Sequence, residues 1–185
     1  MSLPEKKCKR YTYADYCTWD KDKRWELIEG EPHLMSSPTQ VHQRISMELS
    51  YQLAAFLKGK PCEVFAAPFD VRLNADTYDD NVVQPDLLIV CDSSRLDGKC
   101  CIGAPDMTIE ILSSYTARHD RLVKFQLYQK AGVREYWIID PETRTLQVCI
   151  LENGKYVLTM YGDTDTVPVQ ILNGCEIDLK AVFEE

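Results

Sequence analysis

The 185-residue sequence contains no long apolar run. No stretch approaches the roughly 20 apolar residues that a membrane-spanning helix needs, so a membrane protein is not expected. Residues 1–10 are polar and carry no apolar stretch behind their basic side chains, which argues against a secretory signal. We therefore expect a cytoplasmic protein.

The sequence also lacks the motifs of several well-marked classes of site. It has neither a Gly-rich phosphate-binding loop nor a Gly-x-Ser-x-Gly nucleophile elbow. It holds eight cysteines but no Cys-x-x-Cys pair, and only three histidines, so a structural zinc site is not expected. Cys62, Cys91 and Cys149 lie within or beside apolar runs, where free cysteine behaves as a small hydrophobic residue. In a reducing cytoplasm we expect these cysteines to be free thiols.

Positive charge is scarce, since the formal net charge is −8. Non-specific affinity for nucleic acids comes mainly from Lys and Arg side chains, so this balance is unfavourable for a DNA-binding protein. Two stretches are locally basic, residues 1–10 and residues 118–134. The second carries five basic side chains against Asp120, namely Arg118, Arg121, Lys124, Lys130 and Arg134. Each stretch fits either a phosphate-binding surface or an ordinary solvated surface.

Length, composition and periodicity predict a single α/β domain over residues 1–185. The order of elements indicates a mixed sheet flanked by helices, with a β-hairpin near the C-terminus around Asn153-Gly154. A capping-box spacing starts the longest helix at Ser37, with Pro38 at its first helical position. The predicted helices are 12–19, 37–58 and 116–131, and the predicted strands are 25–34 (with a turn at Gly30), 64–73, 82–90, 107–112, 135–139, 145–150, 156–161, 167–172 and 177–179.

Three charged residues interrupt apolar patterns. Asp86 lies inside the apolar run 82–90, and Glu110 lies between Ile109 and Ile111. A helical projection places Lys124 on the apolar stripe of its helix, with Asp120 one turn before it. The apolar members of that stripe are Val123, Leu127, Tyr128 and Ala131. Buried charges are costly unless they are paired, so these residues form either an ion pair in the core or one functional site.

A functional site is favoured because all three residues occur together. Two inward carboxylates repel each other unless a divalent cation joins them, and their oxygen ligands suit Mg²⁺ or Mn²⁺. His42 lies in the apolar stripe of the second helix. It is either a satisfied histidine in the first helical turn or a residue at the rim of the same cleft.

These residues resemble a known family. Pro85-Asp86 followed by Glu110 on the next strand is similar to the motif of the PD-(D/E)xK nuclease superfamily, and the closer resemblance is to its Uma-two family of restriction endonucleases. The resemblance runs from about Tyr11 to Phe183. The matching segments are Trp25-Glu26-Leu27-Ile28-Glu29-Gly30-Glu31, Gly103-Ala104-Pro105-Asp106, Glu110-Ile111-Leu112-Ser113, Lys124, Ala131-Gly132-Val133-Arg134-Glu135-Tyr136-Trp137 and Asp140-Pro141-Glu142.

The resemblance implies a restriction-endonuclease-like core and a magnesium-dependent endodeoxyribonuclease. Asp86, Glu110 and the main-chain carbonyl of Ile111 would hold the metal, and Lys124 would replace the superfamily lysine, whose place Leu112 occupies. Glu29 resembles a further acidic residue of such sites, although Glu26 competes for that role.

The expected partners are DNA and a second copy of the chain, because cutting both strands of a duplex needs two sites. The alternative is a catalytically silent module that keeps the fold and binds nucleic acid or a protein partner.

Overall fold

Two mixed β-sheets form the framework of the protein in a computed structural model, which describes residues 9–20, 22–113 and 120–184. The strands are β1 Trp25–Ile28, β2 Glu31–Leu34, β3 Glu63–Ala66, β4 Asp70–Arg72, β5 Val82–Val83, β6 Leu87–Val90, β7 Cys100–Ile102, β8 Met107–Ile111, β9 Glu135–Asp140, β10 Thr145–Glu152, β11 Lys155–Gly162, β12 Thr166–Pro168 and β13 Glu176–Asp178. The helices are α1 Tyr13–Tyr16, α2 Gln40–Leu57, α3 Phe125–Ala131 and α4 Leu179–Phe183, with a 3₁₀ turn at Ser93–Arg95 and a π-helical turn at Asp120–Lys124 that leads into α3.

The larger sheet has six strands in the order β11-β10-β9-β8-β6-β3, and the smaller has five in the order β2-β1-β5-β4-β7. Each sheet contains one parallel pair, β8 with β9 and β4 with β7. Strands β12 and β13 form a separate antiparallel pair. The predicted mixed α/β character is confirmed, and so is the hairpin across Asn153-Gly154. The prediction of one mixed sheet is wrong, because the strands divide between a six-stranded and a five-stranded sheet.

Helix α2 packs on one face of the larger sheet. Its buried residues Ile45, Leu49, Leu53 and Leu57 recur at helical spacing and share an apolar cluster with alternate residues of β6, β8 and β9. Leu88 and Val90 of β6 and Tyr136 and Ile138 of β9 belong to a second cluster, to which α3 contributes Tyr128. The central strands are thus covered on both sides. Within the described ranges no helix combines the length and apolarity needed to cross a lipid bilayer.

The start of α2 lies two residues later than predicted. Its N-cap is Thr39, whose hydroxyl oxygen accepts a hydrogen bond from the main-chain N–H of His42 at 3.2 Å. Ser37 and Pro38 therefore precede the helix. The predicted end is confirmed, since Lys58 is the C-cap and Gly59 follows with a φ of 77°.

Two of the predicted strands are wrong in the same way, because each is divided into two shorter strands at a proline. The predicted strand 64–73 divides into β3 and β4, with Pro68 between them, and the predicted strand 82–90 divides into β5 and β6 around Pro85. Proline has no N–H to donate to a neighbouring strand, so the ladder stops there. In both cases the two halves belong to different sheets. Asp86 therefore lies at a crossing between the sheets, and not in the middle of one buried strand.

The prediction that Cys62 and Cys91 are free thiols is wrong, because the two residues form a disulfide. Strands β3 and β6 explain the pairing: Glu63 lies opposite Val90 in their antiparallel register, so Cys62 and Cys91 meet one residue further along. Cys149 is a buried free thiol, as expected.

Candidate active site

Strand pairing in the larger sheet brings Asp86 and Glu110 side by side. Leu87 on β6 pairs with Ile109 on β8, so the same antiparallel register places Asp86 opposite Glu110. Asp86 Oδ2 accepts a hydrogen bond from the main-chain N–H of Ile111 at 2.8 Å, which fixes the carboxylate against this strand. Both carboxylates line one cavity of about 450 Å³.

Glu110 is almost completely enclosed, with 3 % of its surface exposed. Its Oε1 accepts hydrogen bonds from Lys124 Nζ at 2.9 Å and from the Tyr128 hydroxyl at 2.7 Å. Burial raises the pKa of Glu110 well above its usual value, and neighbouring carboxylates raise it further, while Lys124 opposes the shift. The sequence analysis treated Tyr128 as an apolar residue of the α3 stripe and so missed its polar contact with this carboxylate.

Lys124 is the cation of the site, as the helical projection predicted, and only 3 % of it is exposed. Its Nζ lies 2.9 Å from Glu26 Oε1, 2.9 Å from Glu110 Oε1 and 3.6 Å from Asp120 Oδ1. Burial alone would lower the pKa of Lys124, but the three carboxylates outweigh it and raise that pKa well above its usual value. The side chain is therefore a protonated ammonium group at neutral pH.

The π-helical turn before α3 decides which side chains point into the site. Asp120, Lys124 and Tyr128 follow one another at intervals of four residues, and all three are buried. Val123, which the α-helical projection placed on the buried stripe, is 41 % exposed. A π turn holds more residues per turn than an α-helix, so a projection with a constant α-helical period misplaces residues beyond it.

His42 occupies the cavity wall beside Asp86, where the functional interpretation of the sequence placed it. Its Nε2 lies 3.0 Å from Asp86 Oδ2, so this oxygen interacts with both the imidazole ring and the Ile111 N–H. Nδ1 of His42 is buried and has no hydrogen-bond partner in the described part of the chain. The ring therefore orients the Asp86 carboxylate through one nitrogen only.

The structure brings Glu26 to the site and leaves Glu29 outside it. Glu26 is 3 % exposed, and its Oε1 accepts a hydrogen bond from the main-chain N–H of Gln84 at 2.9 Å in addition to contacting Lys124. Glu29 is exposed in the turn between β1 and β2, with a φ of 50°, and does not line the cavity. A distinguishing pattern was present in the sequence: Glu26 lies inside the run Trp-Glu-Leu-Ile, whereas Glu29 directly precedes the turn residue Gly30.

The locally basic stretch 118–134 is largely paired within the chain. Arg121 contacts Asp140 at 2.8 Å, Arg134 contacts Asp106 at 3.0 Å, and Lys124 is buried in the site. Arg118, also part of that prediction, lies outside the described residues. The described part of the stretch therefore offers less free positive charge than its composition indicates.

The chemistry of the site fits a divalent cation. Asp86 and Glu110 use one carboxylate oxygen each for the hydrogen bonds above, and the other oxygens, Oδ1 and Oε2, accept none from any described residue. Ile111 also lines the cavity. The described residues contain no group of three or more His, Cys, Asp or Glu arranged to hold a metal ion. Two carboxylates with a carbonyl are nevertheless the small ligand set that suits Mg²⁺, which keeps several waters and binds substrate phosphates.

Comparisons with known proteins show a family and a fold. The model of the Uma2 family, described as "Putative restriction endonuclease", matches residues 12–180. A protein of Synechocystis, described as uncharacterized, is 28 % identical over 162 residues, which make up 84 % of this chain and 83 % of that protein. A crystal structure from Anabaena variabilis, described as "a putative nuclease belonging to DUF820", matches with a TM-score of 0.75 and 21 % identity over 93 % of this chain and 97 % of the other. At this identity the structural match supports the fold alone.

Proposed function

Since the chain belongs to the Uma2 family, as its sequence predicted, we propose that it is a metal-dependent nuclease that hydrolyses DNA phosphodiester bonds on a restriction-endonuclease-like core. The observation that carries this proposal is the placement of Asp86, Glu110 and a protonated Lys124 in the wall of one cavity. Perturbed charges concentrated in a cleft are typical of catalytic sites.

Asp86 and Glu110 would hold Mg²⁺ or Mn²⁺ through their free oxygens, together with the main-chain carbonyl of Ile111. When bound, the cation supplies Lewis-acid polarisation of a phosphate oxygen. His42 and the Ile111 N–H hold Asp86 in place from its other oxygen, so the ligand geometry is set before substrate arrives.

Lys124 contributes a fixed positive charge. Because its pKa is raised, it stays protonated and cannot accept a proton from water at neutral pH. Its positive charge instead stabilises negative charge that develops on the phosphate oxygens during attack. The reaction adds water across one P–O bond by in-line displacement, leaving a phosphate monoester on one end of the DNA and a hydroxyl on the other.

A second candidate is a catalytically silent module that keeps the fold and binds nucleic acid or a protein partner. Two observations favour it: the net charge is −8, and Leu112 occupies the position of the superfamily lysine. In addition, Lys124 contacts three carboxylates of its own chain, which is an arrangement that also stabilises a fold without catalysis.

A cleavage assay separates the two candidates. Purified protein is incubated with Mg²⁺ or Mn²⁺ and with single-stranded and double-stranded DNA, beside a Glu110→Ala variant and a Glu29→Ala control that removes a carboxylate outside the cavity. We expect metal-dependent cleavage that the first variant loses and the second retains. If neither metal supports cleavage by the wild-type protein, the silent module becomes the better account.

The oligomeric state tests a related prediction. Cutting both strands of a duplex needs two sites, which a symmetric homodimer supplies. Light scattering of the purified protein, with and without duplex DNA, should then give twice the mass of the 21.3 kDa chain. A monomer under both conditions would contradict this prediction and would favour a single-stranded substrate.

A further inference from the structure

One basic side chain in the cavity wall has no anionic partner within the described residues. Arg24 directly precedes β1 and lines the same cavity as Asp86 and Glu110. Its Nε donates a hydrogen bond to Gln84 Oε1 at 3.0 Å. Its Nη2 is buried without a hydrogen-bond partner, and no described carboxylate lies within ion-pair distance of the guanidinium group.

A buried guanidinium N–H without a partner is unfavourable, because water is lost and no acceptor replaces it. The contrast with Lys124 is informative: three carboxylates surround that ammonium group, whereas Arg24 faces the same cavity with none. The acceptor that completes the Arg24 environment must therefore come from outside the described residues. A group with several negatively charged oxygens satisfies the guanidinium group best.

Gln84 holds the guanidinium group in a defined position. Its amide nitrogen donates hydrogen bonds to Asp70 Oδ1 at 2.8 Å and to the Tyr16 hydroxyl at 3.1 Å. Because Asp70 accepts from the NH₂ end, the oxygen end of the Gln84 amide must face Arg24. The arginine is therefore anchored through Nε, while its Nη2 has no acceptor among the described residues.

We propose that Arg24 binds a phosphate group of the substrate inside the cavity, next to the carboxylates that hold the metal. This inference rests on the proposed function and deepens it. It assigns the cavity to phosphodiester recognition, with Arg24 on the wall formed by the smaller sheet and Asp86 and Glu110 on the wall formed by the larger one.

Binding measured without a metal tests the assignment separately from cleavage. A fluorescently labelled single-stranded DNA oligonucleotide is titrated with protein in EDTA, and its anisotropy gives the dissociation constant. We expect Arg24→Gln to weaken binding about tenfold, the loss expected when a hydrogen bond to a charged group is removed. Arg144→Gln is the matched control, because it removes the same charge from an exposed pair with Asp163 outside the cavity. It should change the affinity less than twofold.

Arg24→Lys keeps the positive charge but lacks the planar guanidinium group, so it should bind the oligonucleotide more weakly than the wild type. It serves as the test if Arg24→Gln fails to fold. Equal affinities of Arg24→Lys, Arg24→Gln and wild type would overturn the assignment. So would an equal loss in Arg144→Gln, or no measurable binding by the wild type. Loss of binding in the Arg24 variants without cleavage by the wild type would support the phosphate site while refuting the nuclease. Full cleavage by Arg24→Gln would support the nuclease and refute the phosphate site at Arg24.

Discussion

Replacing Lys124 with methionine tests the electrostatics of the site most directly. Methionine keeps an unbranched stem of similar length and removes only the ammonium group. The carboxylates of Glu26, Glu110 and Asp120 would then lose the ammonium group that all three contact in a buried space. The attractive contacts of Lys124 Nζ are therefore replaced by repulsion between the carboxylates, whose oxygens lose a hydrogen-bond donor.

The expected loss of stability is about 3–5 kcal/mol, the usual cost of removing one partner from a buried ion pair. For a chain of this size, that loss corresponds to a melting point lowered by roughly 6–20 °C. The raised pKa of Lys124 means that its contribution is fully present below its unfolded value of 10.5 and is lost only as the pH rises through its folded value. Lys124 lowers the pKa of Glu110 against the effect of burial, so without the ammonium group Glu110 should take up a proton more easily, and the difference in stability between variant and wild type should narrow as the pH falls towards 5.

Urea denaturation in EDTA at neutral pH and at pH 5 measures this effect. Lys130→Met is the matched control, because Lys130 is an exposed lysine of α3, and its loss should cost less than about 0.5 kcal/mol. Cleavage is assayed at a temperature where the Lys124→Met variant remains folded, and we expect it to be abolished. A stability loss below about 1 kcal/mol would refute the reasoning, since a lysine surrounded by three buried carboxylates cannot be neutralised so cheaply.

Three further predictions follow from the same geometry. Millimolar Mg²⁺ or Mn²⁺ should raise the melting midpoint of the wild type and of Glu29→Gln, because a ligand that binds only the folded protein stabilises it. The midpoint of Glu110→Gln should not change. A metal-dependent shift in Glu110→Gln would exclude Glu110 as a metal ligand. Tyr128→Phe removes one hydrogen bond to Glu110 and should cost about 1–2 kcal/mol in urea denaturation while cleavage persists; abolished cleavage would instead assign the hydroxyl a catalytic role. Gly132→Ala should lower the free energy of unfolding by about 1–2 kcal/mol, because Gly132 ends α3 at a φ of 89°, which strains any residue with a Cβ. A Cβ at this position meets no atom within 4 Å, so backbone strain is the whole effect. An unchanged midpoint of urea denaturation would contradict this prediction.

The parts of the site that the sequence predicted are those in which a charge interrupts a strong local pattern. The sequence predicts that Glu110 and Lys124 are buried, because the apolar residues within four positions of each one mark the buried face of its strand or helix. Glu110 lies between two isoleucines, and Lys124 lies on an amphipathic helix. Their inward placement is confirmed by the structure, although their catalytic roles stay predictions. Asp86 was recognised in the same way, as a charge inside the apolar run 82–90, and its pairing with Glu110 matches their positions in the register of β6 and β8.

The parts that sequence analysis missed depend on pairing between distant residues. The disulfide between Cys62 and Cys91 follows from the register of β3 and β6, which no local pattern contains. Likewise, a single apolar run from 82 to 90 reads as one strand, whereas the structure divides it between two sheets at Pro85. A proline inside an apparent central strand was the available warning against that assignment.

The site contains two kinds of polar residue. Lys124 forms ion pairs with three carboxylates, an arrangement that also stabilises a fold, so this cluster does not by itself distinguish an active enzyme from a silent module. Asp86 and Arg24 line the same cavity outside that cluster, and each has a polar atom that no described residue satisfies, namely Oδ1 of the carboxylate and Nη2 of the guanidinium group. A fold without a ligand gains nothing from either atom. Asp86 and Arg24 therefore add to the case that Glu110 and Lys124 make for a functional site, because the fold alone does not explain them.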